Sequence, residues 1–93
     1  MVRAIMQFES EPDPERYRKH VEEYVLPVEC AAFRHGKVFG SPFGEPRFAY
    51  YAEFEWPDRE SFKASANSPE FAASGADAAT MGIPFTVHFV GLE

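Results

Sequence analysis

The sequence is poor in the residues that many specialised chemistries and compartments require. One cysteine, Cys30, stands among 93 residues, so no disulfide can close within the chain. The opening residues show no positively charged stretch followed by an apolar run and a small-residue cleavage site. Together these lead to the expectation of a reduced, cytoplasmic protein. No apolar run approaches the ~20 residues needed to cross a bilayer, which excludes a membrane span. Basic residues are outnumbered, nine Lys and Arg against 15 Asp and Glu for a net charge of −6. The densest basic cluster, Arg16, Arg18 and Lys19, is interleaved with Glu15, Glu22 and Glu23. Such a surface does not attract a phosphate backbone, and no nucleic-acid partner is expected. The six glycines never form Gly-x-Gly-x-x-Gly or a phosphate loop, so no nucleotide or other cofactor is indicated. His20, His35 and His88 are scattered rather than spaced as a ligand set, and no metal site is expected.

What the chain has is aromatic weight. Ten Phe, four Tyr and one Trp, within a hydrophobic share of 45%, are far too many for a disordered segment. The length fits a single domain over residues 1–93, because a second core could not be filled. Folding at this size removes only about 60–65% of the unfolded surface from water, so self-association is the expected supplement.

Alternation of side-chain character predicts a strand over Val2 to Phe8, with Val2, Ala4, Met6 and Phe8 on one face. Asp13 followed by Pro14 supplies an N-cap and a first-turn proline, and a helix should run from there to about Leu26, where Pro27 stops it. Its stripe is Tyr17, Val21, Tyr24, Val25 and Val28. A second strand is expected over Arg34 to Phe39, followed by a turn-rich connection from Gly40 to Pro46. Phe48 to Trp56 is the strongest strand signal. A helix capped by Asp58 should reach about Asn67, restart at Ser68-Pro69-Glu70 and continue to Ala79, and a last strand should span Phe85 to Val90. This order is α+β, the ferredoxin-like βαββαβ arrangement of a four-stranded antiparallel sheet with helices on one face. The other face, with Ile5, Tyr51 and Val90, is expected to be bare and to be buried against a twin sheet in a homodimer. Glu53 would then be an interfacial charge needing a partner such as Arg3.

His20 is the candidate acid or base, since imidazole titrates near neutral pH and Tyr17 and Tyr24 flank it at three- and four-residue steps on one stripe. The same pattern also describes a core-edge histidine bonded to a phenol. Tyr50 shares a face with Ala52 and Phe54, and a buried Tyr50 hydroxyl should find His20, a ligand or a water. Phe33, Phe54 and Phe85 are candidates for the wall and roof of a substrate pocket, and each is equally what a packed core uses. His35 and His88 read as strand histidines without a task, and Cys30 as a buried small hydrophobe.

The helix Tyr17-Arg18-Lys19-His20-Val21-Glu22-Glu23-Tyr24-Val25-Leu26-Pro27, the turn Gly40-Ser41-Pro42-Phe43-Gly44-Glu45-Pro46, the strand end Ala52-Glu53-Phe54-Glu55-Trp56 and the Ser68-Pro69-Glu70 restart stand in one order. In that order and spacing the chain resembles the EthD-like proteins. The resemblance implies a dimeric α+β barrel, two subunits packed sheet to sheet, each with a pocket between its sheet and helices. It implies no single reaction, because relatives isomerise lactones, oxidise anthrones or decarboxylate polyketide-like aromatics. The family's helix carries a histidine matching His20 and commonly a second one two residues before the proline, where this chain has Val25. Two functional readings follow. One is a cofactor-independent enzyme, of oxidoreductase, isomerase or decarboxylase type, acting on a small apolar, aromatic or ketone-bearing molecule with His20 as acid/base and Tyr17, Tyr24 and Tyr50 around it. The alternative is a non-catalytic binding or accessory protein for a hydrophobic metabolite, tied to a partner oxygenase; a module that only dimerises is a third possibility.

Overall fold

Strand-forming alternation and well-placed caps produce the elements in the expected order. The computed structural model describes residues 1–93 as β1 (Val2–Phe8), α1 (Pro14–His20), β2 (Ala32–Lys37), β3 (Tyr50–Trp56), α2 (Arg59–Ala66), α3 (Pro69–Ala79) and β4 (Phe85–Gly91). The strands form one antiparallel sheet in the order β2-β3-β1-β4. The chain is thus the ferredoxin-like α+β fold, with its second helix in two pieces. No helix is long and apolar enough to cross a membrane.

Register decides what faces the helices. Ala4 stands opposite Phe54 on β3 and Phe89 on β4, and Phe33 on β2 stands opposite Phe54, so these side chains share the helix-covered face. Val25 and Val28, just beyond α1, close the core over Val2, Ala4, Phe54 and Trp56. The indole of Trp56 is satisfied within it by donating to the Glu29 carbonyl at 2.8 Å. Asp13, Asp58 and Ser68 each accept from the backbone N–H three residues on, fixing where the three helices start.

Three expectations are corrected. First, the helix does not continue regularly to Leu26: beyond His20 it widens into a π-helical turn over Val21–Val25, with the Leu26 N–H reaching back to the Val21 carbonyl at 2.9 Å. A π turn inserts one residue into the helical repeat, so Tyr24 does not follow the stripe that Tyr17 begins. Second, β2 and β3 are shorter at their shared loop than expected, ending and starting at the pair Lys37 and Tyr50. Beyond it only the Val38 N–H to Ala49 carbonyl bond continues the ladder, and Phe39 and Phe43 lie fully in solvent. Gly44, at φ +101°, supplies the left-handed turn in that loop.

Third, the outer face of the sheet, uncovered by any helix as expected, carries more charge than the single Glu53–Arg3 pair expected of it. Beside Ile5, Tyr51 and Val90 it carries an ion-pair cluster in which Arg34 meets Glu53 at 2.7 Å and Arg3 meets Glu55 at 3.1 Å. Tyr51 donates to Glu53 at 2.7 Å. Arg3, the partner expected for Glu53, lies at 3.7 Å and contributes less closely than Arg34. Burial raises the Glu53 carboxyl, but Tyr51 and the two guanidiniums outweigh it and hold it below the ordinary carboxylate range.

Candidate functional site

His20 is the last regular residue of α1, and only 4% of it is exposed. Its Nδ1 lies 2.7 Å from Oδ2 of Asp77 on α3. Arg16, one turn before His20, grips the same carboxylate with both terminal nitrogens, at 3.1 and 2.9 Å. Burial pushes the Asp77 carboxyl upward, but the bonds from Arg16 and His20 prevail and keep it below its ordinary value. An ionised carboxylate can only accept, so Nδ1 carries a proton, and in the neutral form of the ring the lone pair lies at Nε2. No protein group bonds Nε2, and the ring lines a cavity. The arrangement is that of a histidine fixed in one tautomer by a carboxylate and left free to take or give a proton at the other nitrogen.

The cavity, about 60 Å³, lies between sheet and helices. Met6, Phe8 and Val87 floor it, and Phe71, Ser74 and Ala78 of α3 close it. Five of the residues singled out in the sequence meet there: Tyr17, His20, Phe33, Phe54 and Phe85. Two do not. Tyr24 stacks near-parallel to His20 at 6.3 Å between ring centres but lines a separate surface groove with Pro27 and Pro69, as the π turn dictates. Tyr50 lines an open crevice beside the cavity, and its hydroxyl pairs with His35 Nδ1 at 2.5 Å rather than with His20.

His35 therefore has a partner, contrary to the expectation of an idle strand histidine. It lies two residues after Phe33 and so shares the helix-covered face, with its ring 5.1 Å from that of Tyr17. Burial lowers its pKa from the usual histidine value. His88, opposite Ile5 on the outer face, is exposed. Val25 is 2% exposed in the core and does not reach the cavity. Cys30 packs against the core, and burial raises its thiol pKa. No three His, Cys, Asp or Glu side chains cluster where they could hold a metal ion.

Asp77 is the functional candidate that sequence reasoning missed. Its partners lie 61 and 57 residues away, and nothing local announces them. The available signal was a single carboxylate in the small-residue stretch Ala72-Ala73-Ser74-Gly75-Ala76-Asp77-Ala78-Ala79.

No family model matches the chain, and no curated protein matches its sequence. Solved structures do match. An EthD family protein from Bacillus halodurans C-125 superposes with a TM-score of 0.74 at 24% identity, covering 100% of this chain and 99% of that one. A dimeric ferredoxin-like protein of unknown function from Jannaschia sp. CCS1 gives 0.72 at 15% identity, covering 98% of each chain. The cofactor-independent oxygenase SnoaB from Streptomyces nogalater gives 0.63 at 13% identity, over 99% and 92%. Identities this low speak to the fold rather than to the reaction. The likeness read from the helix, turn and strand-end motifs is thus met in three dimensions: the chain has the ferredoxin-like α+β fold of EthD family proteins, on which both enzymes and proteins without a known reaction are built.

Proposed function

We propose that residues 1–93 act as one unit, paired with a second copy through the outer faces of their sheets, and that each subunit is a cofactor-independent enzyme for a small apolar, aromatic or ketone-bearing molecule. His20 is the acid/base, Asp77 fixes its tautomer and Arg16 holds Asp77 in place. The observation that carries this reading is the 2.7 Å bond from His20 Nδ1 to an anchored carboxylate, with Nε2 unbonded on an apolar cavity.

At about 60 Å³ the cavity is well below the ~300–1,000 Å³ of ordinary ligand sites, so substrate entry displaces side chains around it. The pairing is supported by a nearly buried Glu53 and by Ile5, Tyr51 and Val90 on a face that no helix covers, and by the dimeric neighbour from Jannaschia.

Proton abstraction next to a carbonyl gives a test that needs no knowledge of the natural product. In deuterium oxide, Nε2 takes a proton from the carbon beside the carbonyl of acetophenone, the resulting enolate collects a deuteron from the exchanged ring, and the ketone gains mass. Wild-type protein is expected to speed this exchange, and His20→Ala to slow it at least ~100-fold while the dimer persists on size-exclusion chromatography. Equal exchange by the two proteins would end the enzyme reading. The second reading, a binding or accessory protein, is favoured by Val25 lying in the core, which leaves the cavity one histidine; it predicts that aryl ketones bind without exchange.

A further inference from the structure

We propose that the crevice beside the His20 cavity, where α1 meets the ends of β2 and β3, binds the carboxylate of a small aryl acid whose ring is directed into the cavity. The proposal rests on the reading that the cavity receives an apolar ring, and it names the class of molecule.

The link between the two spaces is Tyr17. It lines both, with its ring 5.4 Å from His20 on one side and 5.1 and 5.2 Å from His35 and Tyr50 on the other. Only 3% of the residue is exposed, and no protein group bonds its hydroxyl. Its hydroxyl oxygen keeps some exposure, unlike the sealed Ser65 Oγ and Thr86 Oγ1, and can donate to a ligand oxygen in the crevice. Tyr50 offers a second hydroxyl. When His35 carries its proton on Nδ1 it donates to the Tyr50 oxygen, and the Tyr50 O–H is released to point at the ligand.

The charges around this crevice run against those of the chain. The net charge is −6, yet the crevice of about 330 Å³ sets Arg18 and Lys37 against one carboxylate, Glu11. Lys37 is engaged with Glu11 at 3.1 Å, whereas Arg18 makes no ion pair and is free to meet an anion. Two phenol hydroxyls and an uncommitted guanidinium are donors suited to an oxygen anion, and guanidinium is the group that pairs with carboxylate in two-pronged fashion. The adjoining cavity, walled by Phe8, Phe33 and Phe85, takes the ring.

The test compares benzoate with benzyl alcohol, which share the ring and differ in charge. Both are titrated at low salt by NMR into full-length wild type and the Arg18→Gln and Tyr17→Phe variants. Wild type is expected to bind benzoate about tenfold more tightly. Arg18→Gln, at an exposed position, should remove most of that preference and leave benzyl alcohol unchanged, and Tyr17→Phe should reduce it several-fold. Benzoate should shift the ring resonances of His35 and not those of His88. Equal affinity for the two probes, a preference that survives Arg18→Gln, shifts centred on His88, or binding of neither probe would each overturn the proposal. A His20→Ala protein that keeps the benzoate preference but has lost proton exchange upholds both readings. Wild type that exchanges no protons yet prefers benzoate removes the enzyme reading and leaves the anion site standing.

Discussion

The two faces of the sheet handle charge in opposite ways. Over its cavity the helix-covered face gathers charge at one point, where Arg16, His20 and Asp77 bond one another and leave a single ring nitrogen over apolar side chains. The outer face spreads it across three strands, where Arg3, Arg34, Glu53 and Glu55 form a network with the Tyr51 hydroxyl. On the first face a single polar unit lies in apolar surroundings, where each of its bonds is strengthened by the low local dielectric. On the second, every charge has at least one opposite neighbour, so the face can be covered without stranding an ion. The comparison teaches that burial alone does not mark a functional group: Glu53, at 6% exposed, is about as hidden as His20, at 4%, but only His20 keeps a bonding position open.

The contrast can be broken most severely from the apolar side. Phe54→Ala empties a site that is 1% exposed between Phe33, Trp56 and Phe71 and should cost about 3–5 kcal/mol in a urea titration; a loss under ~1 kcal/mol would mean that the core collapses around it. Next in size is Asp77→Asn, which leaves Arg16 and His20 without their anion and should cost about 1–3 kcal/mol at neutral pH. Because the folded pKa of Asp77 lies below its unfolded value, this contribution is present above that unfolded value and is lost as pH falls through the folded one. The wild-type and Asp77→Asn stability curves should therefore converge in acid, below about pH 4, and a gap that stays constant would refute the ionic account. The smallest effect is expected on the outer face. Tyr51→Phe removes one of several bonds to Glu53 and should cost about 0.5–1.5 kcal/mol. Burial, followed by the bond to Glu53, pushes the Tyr51 hydroxyl up to about 12, so the folded state holds a proton that the unfolded chain releases near pH 10. Wild type should accordingly lose stability between about pH 10 and 12 more steeply than Tyr51→Phe, as followed by circular dichroism.

What the sequence disclosed was what neighbours in sequence decide. Asp13-Pro14 and Ser68-Pro69 mark helix starts because a cap needs only the next three residues, and the alternation from Tyr50 to Trp56 shows a strand because its two faces differ. The π turn at Val21–Val25 was hidden, since Pro27 announces an end to the helix but not a change in its winding before that end. The placement of Tyr24 was misjudged with it. At the site, the candidacy of His20 was legible from residue type and stripe, whereas its bond to Asp77 joins elements that only the packed fold brings together. His35 could have been placed, because it is two residues from Phe33 and strand side chains two apart share a face. The outer cluster was half legible: Glu53 was seen to need a cation, but the choice of Arg34 depends on the offset of β2 against β3.

The division of labour between layers bears on how such a protein can change over generations. Arg16, His20 and Asp77 sit on α1 and α3, while Met6, Phe33, Phe54 and Phe85, which shape much of the cavity, sit on the strands. Substitutions among the strand residues can therefore alter the shape of the cavity while the Arg16–Asp77–His20 unit is inherited intact. Under the proposed function, a lineage built on this plan would change its substrates through conservative exchanges among these strand residues, without rebuilding its chemistry at each step.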